Sequence, residues 1–327
     1  MNTANENDGA KIIRAMDEEL IAARDFLGTL EGCSILGQAA NPTPQPIMSN
    51  FPRRAFVTSD GVQLSYIRQG SGRPIVLIHG WSQCAEQFKH QIQPLSARYD
   101  IIALDQRSHG ESQKVPYGLK LSRLSKDLYE LLTGLDLSDV ALLGHSMGSA
   151  VIWCYIELFG PERLSKIILV DQPPFVTSNP HWTQQELEDS GACFTAQQVF
   201  DNVAALRGEE AEQVTRQIID GYVTKQATSE MREWIVQCNL KMPRDFAGTL
   251  VYNLCHTDWR DFIPRINLPT LIISGRGSAI PWRSQEWIHR QIKGSQFEVF
   301  EESEGGQHFM FIENPDKFNR LVMEYLR

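Results

Sequence analysis

Positive charge, paired cysteines and long apolar runs are all scarce in this sequence, and each shortage removes a class of function. Lys and Arg number 31 against 40 Asp and Glu, giving a formal net charge of −9 and a sequence pI near 5.4. Such a surface repels phosphate backbones and anionic lipid headgroups, so neither a nucleic acid nor a membrane is expected as a partner. The six cysteines (Cys33, Cys84, Cys154, Cys193, Cys238 and Cys255) are irregularly spaced and contain no CxxC pair. Neither a disulfide framework nor a zinc site is predicted, and free thiols point to a reducing compartment. No apolar run reaches the roughly 18 residues that span a bilayer. The opening MNTANENDGAKII has acidic residues and no apolar h-region, so a cytoplasmic location is expected.

What is present suits one large α/β domain with an insertion: 327 residues, 42% hydrophobic and 22% charged. Lys11 to Leu30 carries Ile12, Ile13, Met16, Leu20, Ala23, Phe26 and Leu27 at helical spacing, and NPTPQP follows. Residues 1–50 are therefore read as a helical extension with a proline-punctuated linker. From residue 54 the pattern changes. RAFVTSD and VQLSYIR alternate like strands around Asp60-Gly61, a hairpin signal. Six apolar runs follow: PIVLIHG (74–80), YDIIALD (99–105), VALLGHS (140–146), SKIILVD (165–171), PTLIISG (269–275) and FEVFEE (297–302). Runs rich in Val, Ile and Leu, separated by helical stretches, are what strands of a parallel sheet buried on both faces look like. The spacing breaks once, over about 95 residues after Asp171, where TAQQVFDNVAAL and SEMREWIVQCNL read as helices. A helical insertion there, 176–260, is read as a lid, dividing the core into 51–175 and 261–327.

Gly144-His145-Ser146-Met147-Gly148 lies between the VALLG strand and a helical SAVIWCYIELFG. The pattern is GxSxG in strand–turn–helix context. A serine on so sharp a turn sits in a strained backbone, and the residues two before and two after it must lack bulk for strand and helix to approach. Ser146 is thereby raised above the sheet at a helix N-terminus, which favours negative charge beside it. Ser146 is the candidate nucleophile.

With GHSMG, HGW at 79–81, the D-x-R-x-x-G-x-S stretch at 105–112 and QHF at 307–309, residues 52 to 327 resemble the α/β-hydrolase superfamily. The resemblance is closest to the branch of cofactor-free haloperoxidases, perhydrolases and small carboxylesterases. It implies the α/β-hydrolase fold, a mostly parallel eight-stranded sheet flanked by helices with a helical lid, and no cofactor or metal. It also implies an oxyanion hole from the backbone N–H groups of Trp81 and Met147, two preorganised donors for a developing negative charge. Chain order then asks for a histidine after the last strand, and of the eight only His308 has that place and a loop. Histidine is the side chain whose charge changes near neutral pH, which suits a base that returns its proton to the leaving group. Asp105 and Arg107 are read as structural, and Ser108 stands where relatives usually have glycine.

The acid departs from the family's commoner pattern. Most relatives carry an aspartate after the PTLIISG strand; here Gly275-Arg276-Gly277-Ser278-Ala279-Ile280-Pro281 offers none, and Ser278 fills the seat. The superfamily's other seat, after the preceding strand, holds Asp171. An aspartate ending an apolar run is costly without a partner, and His308 is the partner expected. The competing reading makes Asp171 a turn residue before Gln172-Pro173-Pro174; Glu301, Glu302 and Glu304 are lesser candidates.

The insertion supplies Phe175, Trp182, Phe194, Phe200, Tyr222, Trp234, Tyr252 and Trp259, some of which should face the serine alongside Trp81, Cys84, Phe309 and Met310. No Lys or Arg cluster suggests a phosphate clamp. The expected partner is a small apolar molecule: a neutral, hydrophobic or aromatic ester, thioester or lactone cleaved through an acyl-enzyme. The alternatives are a perhydrolase or haloperoxidase, a cofactor-free dioxygenase or a C–C hydrolase on the same fold, and, in another class, a non-catalytic small-molecule receptor. Epoxide hydrolases and haloalkane dehalogenases are disfavoured because they need a carboxylate where Ser146 stands.

Overall fold

The structure is a computed structural model, and it describes residues 51–327. The helix read over Lys11–Leu30 and its linker lie outside the described residues. Eight strands form one sheet in the order β1-β2-β4-β3-β5-β6-β7-β8. These are β1 (Arg53–Val57), β2 (Gln63–Gly70), β3 (Pro74–Ile78), β4 (Asp100–Leu104), β5 (Val140–His145), β6 (Leu164–Val170), β7 (Thr270–Gly275) and β8 (Gln296–Phe300). The pairs β1–β2 and β2–β4 are antiparallel, and the rest are parallel. The Asp60-Gly61 signal is a tight hairpin: Gly61 sits at φ +81° and its N–H donates to Thr58 O at 2.9 Å.

The apolar runs are continuous because the central strands are covered on both faces. Along β3, Ile75 and Leu77 enter one apolar cluster, while Val76 and Ile78 enter the other. All four are fully buried, so the period-two alternation of the strand divides them between two cores rather than between core and water. The helix Leu121–Gly134 buries Leu121, Leu124, Leu128, Leu131 and Leu132, the one-sided stripe that places a helix on a sheet.

Between β6 and β7 lie the helices Gln184–Ser190, Ala196–Arg207, Ala211–Asp220, Ser229–Leu240 and Arg244–Cys255. Three begin where a threonine side chain accepts a backbone N–H of the first turn: Thr183, Thr195 and Thr228. The first two are capping boxes completed by Glu186 and Gln198. No helix among the described residues is long and apolar enough to cross a membrane.

Candidate active site

The turn after β5 is shaped by close approach. A Cβ on Gly144 would stand 2.5 Å from the backbone carbon of Gly148, and one on Gly148 would stand 2.2 Å from Ile78 O. With both positions bare, the helix Met147–Phe159 starts directly off the strand, and Ser146 between them takes φ +52°, ψ −127°. A non-glycine residue keeps such a conformation only when its surroundings enforce it. Here Ser146 N–H donates to Val170 O at 2.7 Å and Ser149 Oγ donates to Gly144 O at 2.7 Å.

His308 follows β8 on a loop turned by Gly305 (φ +78°) and Gly306, whose Cβ position is 2.1 Å from Phe300 O. Its Nδ1–H donates to Asp171 Oδ2 at 2.7 Å, across 137 residues of sequence. The carboxylate is fully buried and its acceptor sites are filled. Ser278 Oγ donates to Oδ2 at 2.6 Å, Ser274 Oγ to Oδ1 at 3.2 Å, and Gly275 N–H approaches Oδ1 at 3.4 Å. Asp171 is therefore the partner of His308, and the reading of it as a plain turn residue falls. The serine in the other acid seat holds this carboxylate from the side, a part the sequence reading did not give it. With Nδ1 donating, the far nitrogen Nε2 of neutral His308 carries the lone pair.

His145 braces the same ring. Its Nε2–H donates to His308 O at 2.9 Å and its ring centroid lies 4.6 Å from that of His308. Complete burial pushes the His145 pKa well down, and the neighbouring His308 adds to the effect, so it stays neutral. Tyr222, from the inserted segment, covers His308 at 4.6 Å between centroids; nothing in the sequence pattern singled it out from the other aromatics. Among the described residues no hydrogen bond joins Ser146 Oγ to His308. Both side chains front one cavity of about 450 Å³, and Trp81, Phe194, Tyr222 and Phe309 form its aromatic wall. Among the described residues no Asp, Glu, Lys or Arg lines it. Trp81 and Met147 amides donate to no protein acceptor among the described residues; Trp81 also fixes its indole by donating Nε1–H to Ala247 O at 2.9 Å.

Of the inserted aromatics, Phe194 and Tyr222 reach the cavity; the others pack elsewhere. Trp182 meets Phe175 edge-on and lies under Arg260, Trp259 packs against buried Trp153, and Phe200 packs against Tyr252. Cys84 and Met310 are buried outside the wall, whereas Cys193 and Cys255 are part of it, and burial raises both of those thiols to about 12. Asp105 and Arg107 serve the frame. Asp105 accepts from Ala85 N and Arg53, and Arg107 grips Asp127 through two nitrogens. Ser108 stands at φ +65°, the left-handed region that makes glycine the easier occupant. Cys84, Glu86 and Cys238 hold three potential metal-binding atoms within 4.8 Å of one another. Glu86, however, already pairs with Arg53 and Lys241, which leaves no carboxylate free for an ion.

Residues 73–315 match the family described as alpha/beta hydrolase fold. The chain belongs to this family. Among relatives of this α/β-hydrolase, a putative non-heme chloroperoxidase of Synechocystis sp. is 31% identical over 81% of this chain and 95% of its own. The non-heme chloroperoxidase CPO-A1 of Kitasatospora aureofaciens is 29% identical over 82% of this chain and 98% of its own. The esterase EaEST of Exiguobacterium antarcticum superposes with a TM-score of 0.76 at 25% identity, covering 83% of this chain and 98% of that one. The chain is thus an α/β-hydrolase of the branch that includes haloperoxidase-like enzymes.

Proposed function

We propose that this α/β-hydrolase cleaves a neutral, hydrophobic or aromatic ester, thioester or lactone through an acyl-enzyme on Ser146. The observation that carries the reading is the buried Asp171–His308 pair, bonded at 2.7 Å, opening with the strained Ser146 onto one charge-free cavity. His308 Nε2 takes the Ser146 proton as Oγ attacks the carbonyl. The amides of Trp81 and Met147 receive the oxyanion, each contributing roughly 3–4 kcal/mol by analogy with other acyl-transfer sites. His308 then protonates the leaving group, and water activated by the same nitrogen releases the acid. Asp171 holds the donor tautomer and stabilises the imidazolium. The inserted helices act as the lid over this cavity. A cavity of about 450 Å³ without charged walls favours an uncharged substrate of modest size.

A fluorophosphonate probe tests the reading. Mass spectrometry should find the adduct on Ser146, and p-nitrophenyl butyrate should be turned over. A folded protein that gives neither would refute the proposal in favour of the receptor. A second reading, perhydrolysis, draws on the relatives named as chloroperoxidases. There hydrogen peroxide replaces water as the attacking group, the acyl–Ser146 bond breaks and a peracid leaves. Halide oxidation that requires both peroxide and a carboxylic acid would favour it.

A further inference from the structure

The turn that carries the Trp81 amide is held largely by the inserted helices. Gln83 N–H donates to Gly80 O at 3.3 Å, so residues 80–83 form a tight turn, and its third residue, Ser82, sits at φ +56°. That region favours glycine, and a serine stays there only if its neighbours hold it. They do so from three sides. Ser82 N–H donates to His109 Nε2 at 3.1 Å, Ser82 Oγ donates to Asn239 O at 3.0 Å, and Arg244 Nη2 donates to Ser82 Oγ at 2.6 Å. Asn239 lies at the end of the helix Ser229–Leu240 and Arg244 at the start of Arg244–Cys255. The Trp81 indole is tied to Ala247 O of the latter helix.

Arg244 is unusual in what it faces. Nη1 donates to Asn239 Oδ1 at 2.8 Å and Thr215 Oγ1 at 3.2 Å, while Nη2 and Nε meet Met242 O at 2.6 and 3.0 Å and Nη2 also meets Asn239 O. Every acceptor is neutral. Among the described residues no carboxylate lies within ion-pair distance of it, and burial lowers its pKa to about 10. A partly buried guanidinium without a counter-ion is costly. Part of that cost is met by the backbone carbonyls of Asn239 and Met242 at the end of the helix Ser229–Leu240. The contact to Ser82 Oγ, however, satisfies no helix end, and it reaches the residue next to Trp81.

We infer that Arg244 is a positioning residue for the oxyanion-binding turn, holding the Trp81 amide in place through Ser82 and coupling its aim to the docking of the inserted helices. The inference rests on the proposed acyl-enzyme reading for its kinetic consequence but not for its structural one. The test uses the full chain with Arg244→Lys, Arg244→Met and Ser82→Ala. Arg244→Met and Ser82→Ala should lower kcat for p-nitrophenyl butyrate about ten- to a hundredfold, the scale expected when a reacting geometry loosens by an ångström or less. KM should stay within about twofold. Affinity for butylboronic acid, which becomes a tetrahedral anion on the serine, should fall in parallel with kcat, while affinity for neutral butyramide stays unchanged. Arg244→Lys should recover part of both losses. Hydrogen exchange of the segment 80–83 should quicken in Arg244→Met relative to the rest of the chain. Equal weakening of the two ligands, unchanged kcat in folded variants, or unaltered exchange at 80–83 would each overturn the positioning role. Faster exchange at 80–83 in Arg244→Met, with a wild-type protein that neither labels nor turns over ester, would instead overturn the proposed function and leave the coupling standing.

Discussion

Replacing Asp171 with asparagine changes one atom, and the surrounding donors dictate where the new NH2 must go. Oδ2 receives His308 Nδ1–H and the Ser278 hydroxyl, while Oδ1 receives the Ser274 hydroxyl and faces Gly275 N–H. Hydroxyls can rotate and an imidazole can change tautomer, but a backbone N–H can do neither. The amide oxygen should therefore keep the Oδ1 place and the NH2 should take the Oδ2 place. His308 must then accept at Nδ1, and its proton moves to Nε2, the nitrogen that in the proposed mechanism receives the serine proton. The proposed base is lost although the geometry is kept. In a serine protease triad the same exchange costs about 10⁴ in kcat, or about 5 kcal/mol at 1.36 kcal/mol per decade; a loss of that order is expected here with KM little changed. Single-turnover hydrolysis of p-nitrophenyl butyrate measures the loss, and ¹⁵N spectra of His308 report the tautomer. An Asp171→Asn variant within tenfold of wild type, or one keeping the Nδ1–H tautomer, would remove Asp171 from the mechanism. Ser278→Ala leaves the carboxylate charge in place and removes one charge-assisted bond, worth about 1.5–3 kcal/mol. Its kcat should fall about ten- to a hundredfold, well short of Asp171→Asn.

Ser146→Ala should abolish probe labelling and ester turnover while leaving the thermal unfolding midpoint within a few degrees; residual turnover above about one per cent would point to another nucleophile. Gly148→Ala forces a Cβ to 2.2 Å from Ile78 O and should cost about 3 kcal/mol or more, read as loss of soluble protein or a lowered urea midpoint. Burial holds the pKa values of His79, His109 and His145 below the ordinary value of 6.5. The unfolded chain therefore binds protons below pH 6.5 that the folded chain refuses. Stability contributed by their neutrality is complete above that pH and is lost as pH falls through it, by up to about 1.4 kcal/mol per pH unit for each histidine. Urea unfolding at pH 7, 6 and 5 checks the direction, and a flat or rising stability on acidification would contradict it.

The fold was legible where burial on two faces leaves an unbroken apolar run. PIVLI, DIIAL and TLIIS each read as strands for that reason, and each is one. The turn that carries Ser146 was legible because its steric demand falls on two residues in fixed register with the serine. The carboxylate partner of His308 was harder: Asp171 and His308 are 137 residues apart, and only the vacancy of the commoner seat drew attention to the earlier one. What that vacancy concealed was the hydroxyl of Ser278, whose use depends on a distance no spacing encodes. Arg244 gave no signal, since a basic residue opening a helix reads as a solvated surface group until its acceptors are seen. The same applies to the aromatics of the insertion, where composition announced a pocket and only packing separated Tyr222 and Phe194 from the rest.

Siting the carboxylate at the end of β6 has a consequence for how this scaffold can diversify. Ser146 N–H is bonded to Val170 O, the residue before Asp171, so two residues of the candidate site descend from one adjacent pair of strands. The loop after β7 keeps a hydroxyl, Ser278, but sends Ala279, Ile280 and Pro281 to the pocket wall. Their side chains can be enlarged or trimmed to suit a different substrate so long as the Ile280 N–H keeps its bond to Ser278 Oγ, which gives the enzyme a place to change its diet while its chemistry stays put.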